Sequence, residues 1–329
     1  MPRYLTTQED LEEIVDKYDT ILFDCDGVIW EGDHLIPHVK EVLAGLRKKG
    51  KRFFFVTNNA TKSRESNKAK FDKLGIECHV DDIFSSAYAS ATYLKNVLNF
   101  PADKKVYVIG EKGIEDELDS VEIRHSGGTD PADNVFIDLM DFSSITPDPE
   151  VGAVLCGLDM HLNYKKIAKG CRYLRENEGC HFVATNLDST FPTHGSVCPG
   201  KSGGGATIAP LITTLGRQPL VIGKPEAAML ESILKTSVLT PATSAWQPLP
   251  RSTDLESVFF CLRSYDLDKS KMLMVGDRLN TDILFGVNGG ISTMLVLTGI
   301  NTRAEAEAED AIAKPTYIVE SLGDFSSVV

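Results

Sequence analysis

Two aspartates directly follow an apolar run near the start of the chain. Residues 21–23 are Ile, Leu and Phe, and they lead into Asp24, Asp26 and Gly27. This pattern predicts a buried strand whose carboxyl end carries two acids, followed by a turn that the glycine allows. Side chains two apart on a strand project to the same side, so Asp24 and Asp26 should repel each other unless a cation neutralises them. A hard divalent cation such as Mg2+ suits this pair, although Asp-Gly alone is also typical of a simple turn.

Three further polar segments also follow apolar runs, in the places where strands of a sheet would end. They are Thr57-Asn58-Asn59, Gly223-Lys224-Pro225 and Gly276 to Asp282. Singly, such segments are typical of helix caps, strand-end caps and solvent-exposed lysines. Together they would place hydroxyl, amide, ammonium and carboxylate groups at one edge of a parallel sheet, where open α/β sheets bind their ligands.

In this order, the four segments resemble the motifs of the haloacid dehalogenase-like phosphatases. Asp24-Cys25-Asp26-Gly27-Val28 matches the DxDG(V/T) signature that opens those motifs. The resemblance covers nearly the whole chain apart from one insertion. It is greatest to the subfamily of 4-nitrophenylphosphatases, phosphoglycolate phosphatases and pyridoxal phosphate phosphatases. It implies a hydrolase of phosphoric monoesters that forms a phosphoaspartate intermediate.

The resemblance also implies roles for the acids. Asp24 is the expected nucleophile, and Asp26 is the expected acid-base group that protonates the leaving oxygen and then takes a proton from water. Mg2+ would be bound by a carboxylate oxygen of Asp24, the backbone carbonyl of Asp26 and the side chain of Asp277. We expect Asp282 in the first turn of the next helix, where it contacts backbone N–H groups or metal-bound water rather than the metal itself.

The remaining motif residues are expected to bind the phosphoryl group. Lys224 would neutralise part of its charge. Thr57 and Asn58 would bind one phosphoryl oxygen through a hydroxyl and a backbone N–H group at the start of a helix. Asn59 would position Asp24 or the metal-bound water molecules.

Alternating strand and helix patterns predict an α/β fold with a doubly wound parallel-sheet core, Rossmann-like, and an inserted α/β cap domain. The predicted limits are residues 1–98 for the first part of the core, 99–217 for the cap and 218–329 for the second part of the core. The strand from Leu220 to Lys224 is assigned to the resumed core, and the apolar run from Met294 to Leu297 is expected to close its sheet. Residues 236–265, which contain three prolines, are predicted to form a flexible insertion.

An entry helix is predicted over residues 6–17. Thr6 and Glu9 have the spacing of a capping box, and an apolar stripe of Leu11, Ile14 and Val15 follows.

The cap is expected to choose the substrate, because the core can recognise only the phosphoryl group. Phe191 and Pro192 are the candidate substrate-binding residues of the cap, in a loop that starts at Asp188. Residues 186–192 are more similar to phosphoglycolate-type relatives than to the pyridoxal type, which has His-Pro where this chain has Phe191-Pro192. This favours a small phosphorylated acid as substrate, with pyridoxal phosphate as the alternative.

One motif points to a different function, because residues 195–202 match the nucleotide-binding P-loop pattern letter for letter. A P-loop joins a buried strand directly to a helix. The preceding segment, Thr190 to His194, is not predicted to be a strand, and Pro199 lacks a backbone N–H group that the loop would need. We therefore reject nucleotide binding. Lys201 and Ser202 still differ from the glycine turn of related phosphatases, and their effect on the cap is open.

Composition limits the partners and the compartment. A formal net charge of -13 over 329 residues argues against nucleic acid and anionic membranes, since both call for a basic surface. Seven scattered cysteines and a start without an apolar leader predict reduced thiols in the cytoplasm. We expect a small phosphorylated metabolite as the partner, and the resemblance allows a homodimer through the cap. A catalytically inert phosphate-binding scaffold is the alternative of another class.

Overall fold

The two aspartates of the first motif follow a central strand of a seven-stranded sheet in which all neighbouring strands are parallel. The computed structural model describes residues 2–135, 145–188, 190–193, 196–199, 204–235 and 267–329, with residues 190–193 and 196–199 described by their backbone alone. In spatial order, the strands are β1 (Arg3–Tyr4), β16 (Tyr317–Val319), β15 (Ser292–Val296), β14 (Met272–Gly276), β2 (Thr20–Phe23), β5 (Arg52–Thr57) and β6 (Ile83–Ser85).

Helices cover both faces of this sheet. They are α1 (Gln8–Lys17), α2 (Val39–Lys48), α3 (Arg64–Lys73), α4 (Ser86–Asn96), α8 (Ala227–Lys235), α9 (Leu284–Gly289) and α10 (Arg303–Glu307). Every residue of β2 and β14 is buried, because successive side chains enter the hydrophobic clusters on opposite faces. Phe23 packs with α1 and α2 on one face, and Leu22 packs with α4 and α8 on the other. The predicted doubly wound core is thereby confirmed.

A second parallel sheet of five strands lies between β6 and β14 in the chain. Its spatial order is β13 (Leu220–Val221), β10 (His181–Ala184), β9 (Val151–Cys156), β7 (Lys105–Ile109) and β8 (His125–Gly127). The helices of this module are α5 (Lys112–Ser120), α6 (Tyr164–Glu176) and α7 (Gly204–Leu215). The module is the inserted α/β unit that the sequence predicts, and its exact limits stay a prediction.

Two assignments of strands to sheets were wrong. Leu220–Val221 pairs with Val183 and Ala184 of β10, so it belongs to the second sheet and not to the core sheet. An apolar run of this kind predicts a strand but does not say which sheet the strand joins. The run that ends at Leu297 does not close the core sheet either, because β16 and then β1 lie beyond β15. Those two strands have three and two residues, too few to show a period.

The start of α1 also differs from the prediction. The cap of α1 is Thr7 and not Thr6, because the Thr7 hydroxyl accepts from the backbone N–H of Asp10 while the Asp10 carboxylate accepts from the N–H of Thr7. Both threonines precede an acid by three residues, so the pattern alone left two registers.

The segment before the P-loop-like motif is a strand, contrary to prediction. β11 (Thr190–Thr193) pairs with β12 (Ser196–Pro199) as an antiparallel hairpin, with Phe191 opposite Cys198. The motif residues in β12 are therefore extended and paired with β11, whereas a P-loop wraps its backbone around a phosphate. Lys201 and Ser202 lie outside the described residues, as does the predicted insertion at 236–265.

The state of the cysteines and the character of the helices can both be read from the described residues. Cys25, Cys78, Cys156, Cys171 and Cys180 are free and buried. Among the described helices, none has the length and apolar character needed to cross a membrane.

A buried ion pair connects the start of α6 to the loop that follows β9. Lys166 Nζ donates to Asp159 Oδ2 at 2.6 Å, and both side chains are about 1% exposed. A second Asp159 oxygen accepts from the backbone N–H of His161 at 2.8 Å. This arrangement commits the Asp159 carboxylate to the interior of the second module.

Lys166→Met should destabilise the protein, because it leaves the Asp159 carboxylate buried without its cation. We expect the free energy of unfolding to fall by roughly 3–5 kcal/mol. The double variant Asp159→Asn/Lys166→Met should lose less, since it buries no charge. Urea denaturation of the three proteins measures the difference, and an equal loss in both variants would show that the pair is not the cause.

Candidate active site

Asp24 lies where β2 ends, held between neighbouring strands. Its backbone N–H donates to the carbonyl of Val275 in β14 at 2.9 Å. Its side chain is 12% exposed and faces Lys224, whose Nζ donates to Asp24 Oδ1 at 2.5 Å. The same ammonium donates to Asp282 Oδ1 at 2.7 Å and to the carbonyl of Val56 at 2.8 Å. All four motifs therefore meet at this buried lysine.

Asp24 is one of three carboxylates that lie close together at this edge of the sheet. One oxygen from each of Asp24, Asp277 and Asp282 lies within 4.8 Å of the others, and all three residues are buried. Lys224 compensates one of their negative charges. The residues therefore fit a divalent cation, because hard cations prefer carboxylate oxygens and a double positive charge would balance the two remaining negative charges.

Burial and mutual repulsion raise the pKa values of two of these acids. Burial, reinforced by the charge of Asp282, raises the pKa of Asp24 to about 7 even though Lys224 opposes the rise. Burial, followed by the charges of Asp282 and Asp24, raises the pKa of Asp277 well above its ordinary value. For Lys224, burial disfavours the charged form, but the two neighbouring carboxylates prevail and its pKa is raised.

The loop after β15 contributes to the site, which the sequence did not reveal. The backbone N–H of Ile300 donates to Asp277 Oδ2 at 2.8 Å, and the Thr298 hydroxyl donates to the carbonyl of Gly27 at 2.6 Å. A Cβ at Gly27 would lie 2.6 Å from Asp277 Oδ2, and one at Gly299 would lie 2.0 Å from it. Glycine at both positions lets two backbone segments approach the same carboxylate. The only sign of this contact in the sequence was Gly299, in a loop to which no function had been assigned.

Asp26 lies beside the cluster and is not one of its three members. Its carboxylate is half-buried, and Oδ1 accepts from the indole N–H of Trp30 at 3.0 Å. The charge of Asp26 contributes to the raised pKa of Asp24, but less than that of Asp282. The predicted repulsion between Asp24 and Asp26 is thus present, but it is smaller than the repulsion from Asp282 of the last motif. The role of the Asp26 carbonyl stays a prediction.

The expected helix start at Thr57 and Asn58 is wrong. β5 ends at Thr57, but α3 begins only at Arg64, where Ser63 caps it. The intervening residues form a loop in which the Thr57 hydroxyl accepts from the N–H of Asn59 at 3.1 Å. The anion-binding geometry of a helix N-terminus is therefore not formed here, although Thr57 itself is buried at the site.

Asn58 acts through its side chain rather than at a helix start. Its Oδ1 accepts from the backbone N–H of Lys224 at 2.9 Å, and its Nδ2 donates to the Lys224 carbonyl at 2.9 Å. The same Nδ2 donates to Asp188 Oδ2 at 3.0 Å. Asn186 donates to the same carboxylate oxygen at 3.0 Å, so the inserted module contacts the core here. This amide pairing with Lys224 was not predicted.

Asn59 uses its side chain locally. Its Oδ1 accepts from the backbone N–H of Thr61 at 3.0 Å and from the Thr61 hydroxyl at 2.7 Å. These bonds order the loop after β5. The predicted contact with Asp24 is not among the hydrogen bonds that the described residues show.

Phe191 and Pro192 lie on β11, which follows Asp188 closely in the chain. Their side chains lie outside the described part of the structure. Their role in substrate binding therefore stays a prediction.

Comparisons with known proteins agree with this site. A family model described as haloacid dehalogenase-like hydrolase matches residues 21–124, and one described as HAD-hydrolase-like matches residues 221–325. The chain is 44% identical to 4-nitrophenylphosphatase of Schizosaccharomyces pombe, over 98% of each chain. It is 40% identical to phosphoglycolate phosphatase 1A, chloroplastic, of Arabidopsis thaliana, over 99% of this chain and 82% of that protein.

A solved structure with a bound cation shares the fold. Glycerol phosphate phosphatase of Mycobacterium tuberculosis, in complex with magnesium, superposes with a TM-score of 0.68 at 26% identity, covering 95% of this chain and 78% of that one. The same phosphatase is also known with calcium. A divalent metal is thus a property of this group of enzymes.

A divalent cation should stabilise this protein more at pH 8 than at pH 5. Without a cation, the pKa of Asp24 rises from 3.8 to about 7 on folding, so the folded state retains a proton that the unfolded chain releases and stability falls as pH rises through this range. A cation replaces that proton. Thermal unfolding with and without Mg2+ at the two pH values measures the effect.

Asp277→Asn is the matched control, because it removes one charge of the cluster at nearly constant volume. Its melting temperature should respond less to Mg2+. Equal increases at both pH values in the wild-type protein would mean that the cation binds elsewhere.

Proposed function

Because the chain belongs to the haloacid dehalogenase-like hydrolases and is a phosphatase of phosphoric monoesters, we propose that it is Mg2+-dependent and forms a phosphoaspartate on Asp24. The observation that carries this proposal is the ammonium of Lys224 at 2.5 Å from Asp24 Oδ1, inside a buried group of three acids. A lone buried carboxylate would lack both the charge partner and the cation ligands that phosphoryl transfer needs.

In the proposed reaction, two aspartates divide the chemistry. A carboxylate oxygen of Asp24 attacks phosphorus, and the bond from phosphorus to the leaving oxygen breaks. The leaving oxygen keeps that electron pair and takes a proton from the carboxylic acid of Asp26. The Asp26 carboxylate then accepts a proton from water, whose oxygen attacks phosphorus, and the Asp24 carboxylate leaves as inorganic phosphate forms.

Lys224 contributes fixed positive charge during both steps. Its Nζ already donates to Asp24, to Asp282 and to the carbonyl of Val56, so its position needs no reorganisation when a phosphoryl group arrives. Asn58 supports this by holding the Lys224 backbone through two hydrogen bonds.

Asp24, the carbonyl of Asp26 and Asp277 would hold the cation. When bound, Mg2+ supplies charge that stabilises the phosphoryl oxygens. Both oxygens of Asp282 already accept hydrogen bonds, one from Lys224 and one from the backbone N–H of Arg278 at 3.1 Å. This supports the prediction that Asp282 lies behind the metal ligands and orients them.

The substrate that we propose is a small phosphorylated acid of the phosphoglycolate type. The relatives named 4-nitrophenylphosphatase and phosphoglycolate phosphatase support it. The Asp188 carboxylate reaches Asn58 at 3.0 Å, so the hairpin of β11 and β12 begins next to the phosphate site. Phe191 and Pro192 are the proposed contacts to the rest of the substrate, and pyridoxal phosphate is the alternative.

The inert-scaffold alternative is disfavoured by the site itself. Asp24, Asp26, Lys224 and Asp277 are all present, and the described geometry brings the nucleophile and the lysine into contact. A cytoplasmic location and a homodimer through the cap remain predictions from sequence.

Asp24→Asn should abolish turnover while the protein still folds. The amide keeps the shape of the side chain but is no nucleophile, and it removes one of the crowded charges. We expect hydrolysis of 4-nitrophenyl phosphate to fall by at least about 1000-fold, with an unchanged or higher melting temperature. Activity near that of the wild-type enzyme would exclude Asp24 as the nucleophile.

Phe191→His should change the choice of substrate. If this position contacts the substrate, kcat/KM for pyridoxal phosphate should rise relative to phosphoglycolate on the order of tenfold, which corresponds to one or two altered contacts. Phe191→Leu serves as the control for lost volume. An unchanged ratio in the histidine variant would place the selecting residues elsewhere.

A further inference from the structure

We propose that Trp30 is a positioning residue for the acid-base chemistry of Asp26, and this inference rests on the proposed function. The geometry shows the indole N–H of Trp30 donating to Asp26 Oδ1 at 3.0 Å. The residue opens the hairpin of β3 (Trp30–Glu31) and β4 (His34–Leu35), directly after the first motif. Trp30 is only 3% exposed, so the donor side of this partly buried bond is shielded from water.

The backbone between the two residues forms a closed turn. The N–H of Gly27 donates to the Trp30 carbonyl at 2.8 Å, and the N–H of Trp30 donates to the Cys25 carbonyl at 3.2 Å. These bonds fix the distance between the Cα atoms of Asp26 and Trp30. The indole therefore meets the carboxylate without a long, flexible connection.

Helix α3 holds the indole ring in place. Phe71 packs edge-on against the ring with centroids 4.9 Å apart, and Lys70 Nζ lies 3.9 Å from the ring centroid. The same ammonium donates to the carbonyl of Gly32 at 2.8 Å, which ties the β3–β4 turn to the helix. An aromatic contact and a cation–π contact from adjacent residues thus restrict the ring on two sides.

The chemistry of indole explains why such a contact matters. An indole N–H can donate a hydrogen bond but cannot accept one. Oδ1 is therefore the acceptor in both protonation states of Asp26. A carbonyl oxygen accepts a hydrogen bond better than a hydroxyl oxygen does, so the transferable proton is assigned to Oδ2. Trp30 thereby decides which oxygen protonates the leaving group and which later takes the proton of water.

The hydrogen bond from Trp30 to Asp26 affects the step in which the bond between phosphorus and the leaving oxygen breaks. Proton donation assists this step strongly when the leaving group is a basic oxygen and weakly when the leaving group is already a stable anion. Two esters of similar shape separate these cases: phenyl phosphate, and 4-nitrophenyl phosphate with its nitro-stabilised leaving group. The ratio of their kcat/KM values reports proton donation, because a general loss of structure lowers both values together.

The test replaces Trp30 by 3-benzothienylalanine, which keeps the fused ring but carries sulfur in place of the N–H group. Trp30→Phe is the genetically encoded version, and Phe71→Leu is the matched control that loosens the ring but keeps the N–H group. Asp26→Asn, which removes the acid itself, sets the upper limit of the effect. Thermal unfolding is measured for all four full-length proteins.

We expect the 4-nitrophenyl to phenyl ratio to rise on the order of tenfold in both Trp30 replacements, in the direction of Asp26→Asn, and to rise clearly less in Phe71→Leu, which loosens the ring but keeps the N–H donor. An unchanged ratio in the benzothienyl protein would overturn the inference while the proposed function stands. Failure of the wild-type enzyme to hydrolyse either ester would instead overturn the proposed function.

Discussion

The buried contact between Lys224 and Asp24 is the interaction on which the site depends. Three acids lie within a few ångströms in an environment that resists charge, and burial raises the pKa of two of them. One lysine cannot neutralise three carboxylates. The remaining charge makes the site suitable for a divalent cation and for the phosphoryl group that the cation helps to bind, so the same electrostatic conflict that costs stability serves the chemistry.

The lysine reaches this position from the second sheet and not from the first. Ile222 and Gly223, which follow β13, donate backbone hydrogen bonds to Ala184 and Thr185 at 3.0 and 2.7 Å. The Lys224 side chain then crosses to the end of β2. Because the backbone of the residue follows one sheet while its ammonium lies at the other, the placement of the inserted module and the electrostatics of the core site are linked. Asn58 strengthens this link by pairing with the Lys224 backbone and with Asp188.

A second link lies on the far side of the loop after β5. The buried carboxylate of Glu117 in α5 accepts from the backbone N–H and the guanidinium of Arg64, at the start of α3. Helix α3 also carries Lys70 and Phe71, which pack against Trp30. The inserted module is thus attached to the helix that supports the proposed acid-base group as well as to the lysine that faces the nucleophile.

The sequence alone determined the parts of this protein that depend on local pattern. Apolar runs that end in Asp24, Thr57 and Asp277 predict strands with polar residues at their carboxyl ends, and parallel strands bring such ends together. Only the tertiary structure decided which acids meet, because Asp24, Asp277 and Asp282 form one cluster, and the charge of Asp282 affects the pKa of Asp24 more than that of Asp26, its neighbour in sequence. It also decided that β13 joins the second sheet, that Thr57 is followed by a loop, and that Trp30 faces Asp26. Each of these depends on which distant residue fills a position across a turn or between sheets, and the periodicity of a single segment carries no information about its distant partners.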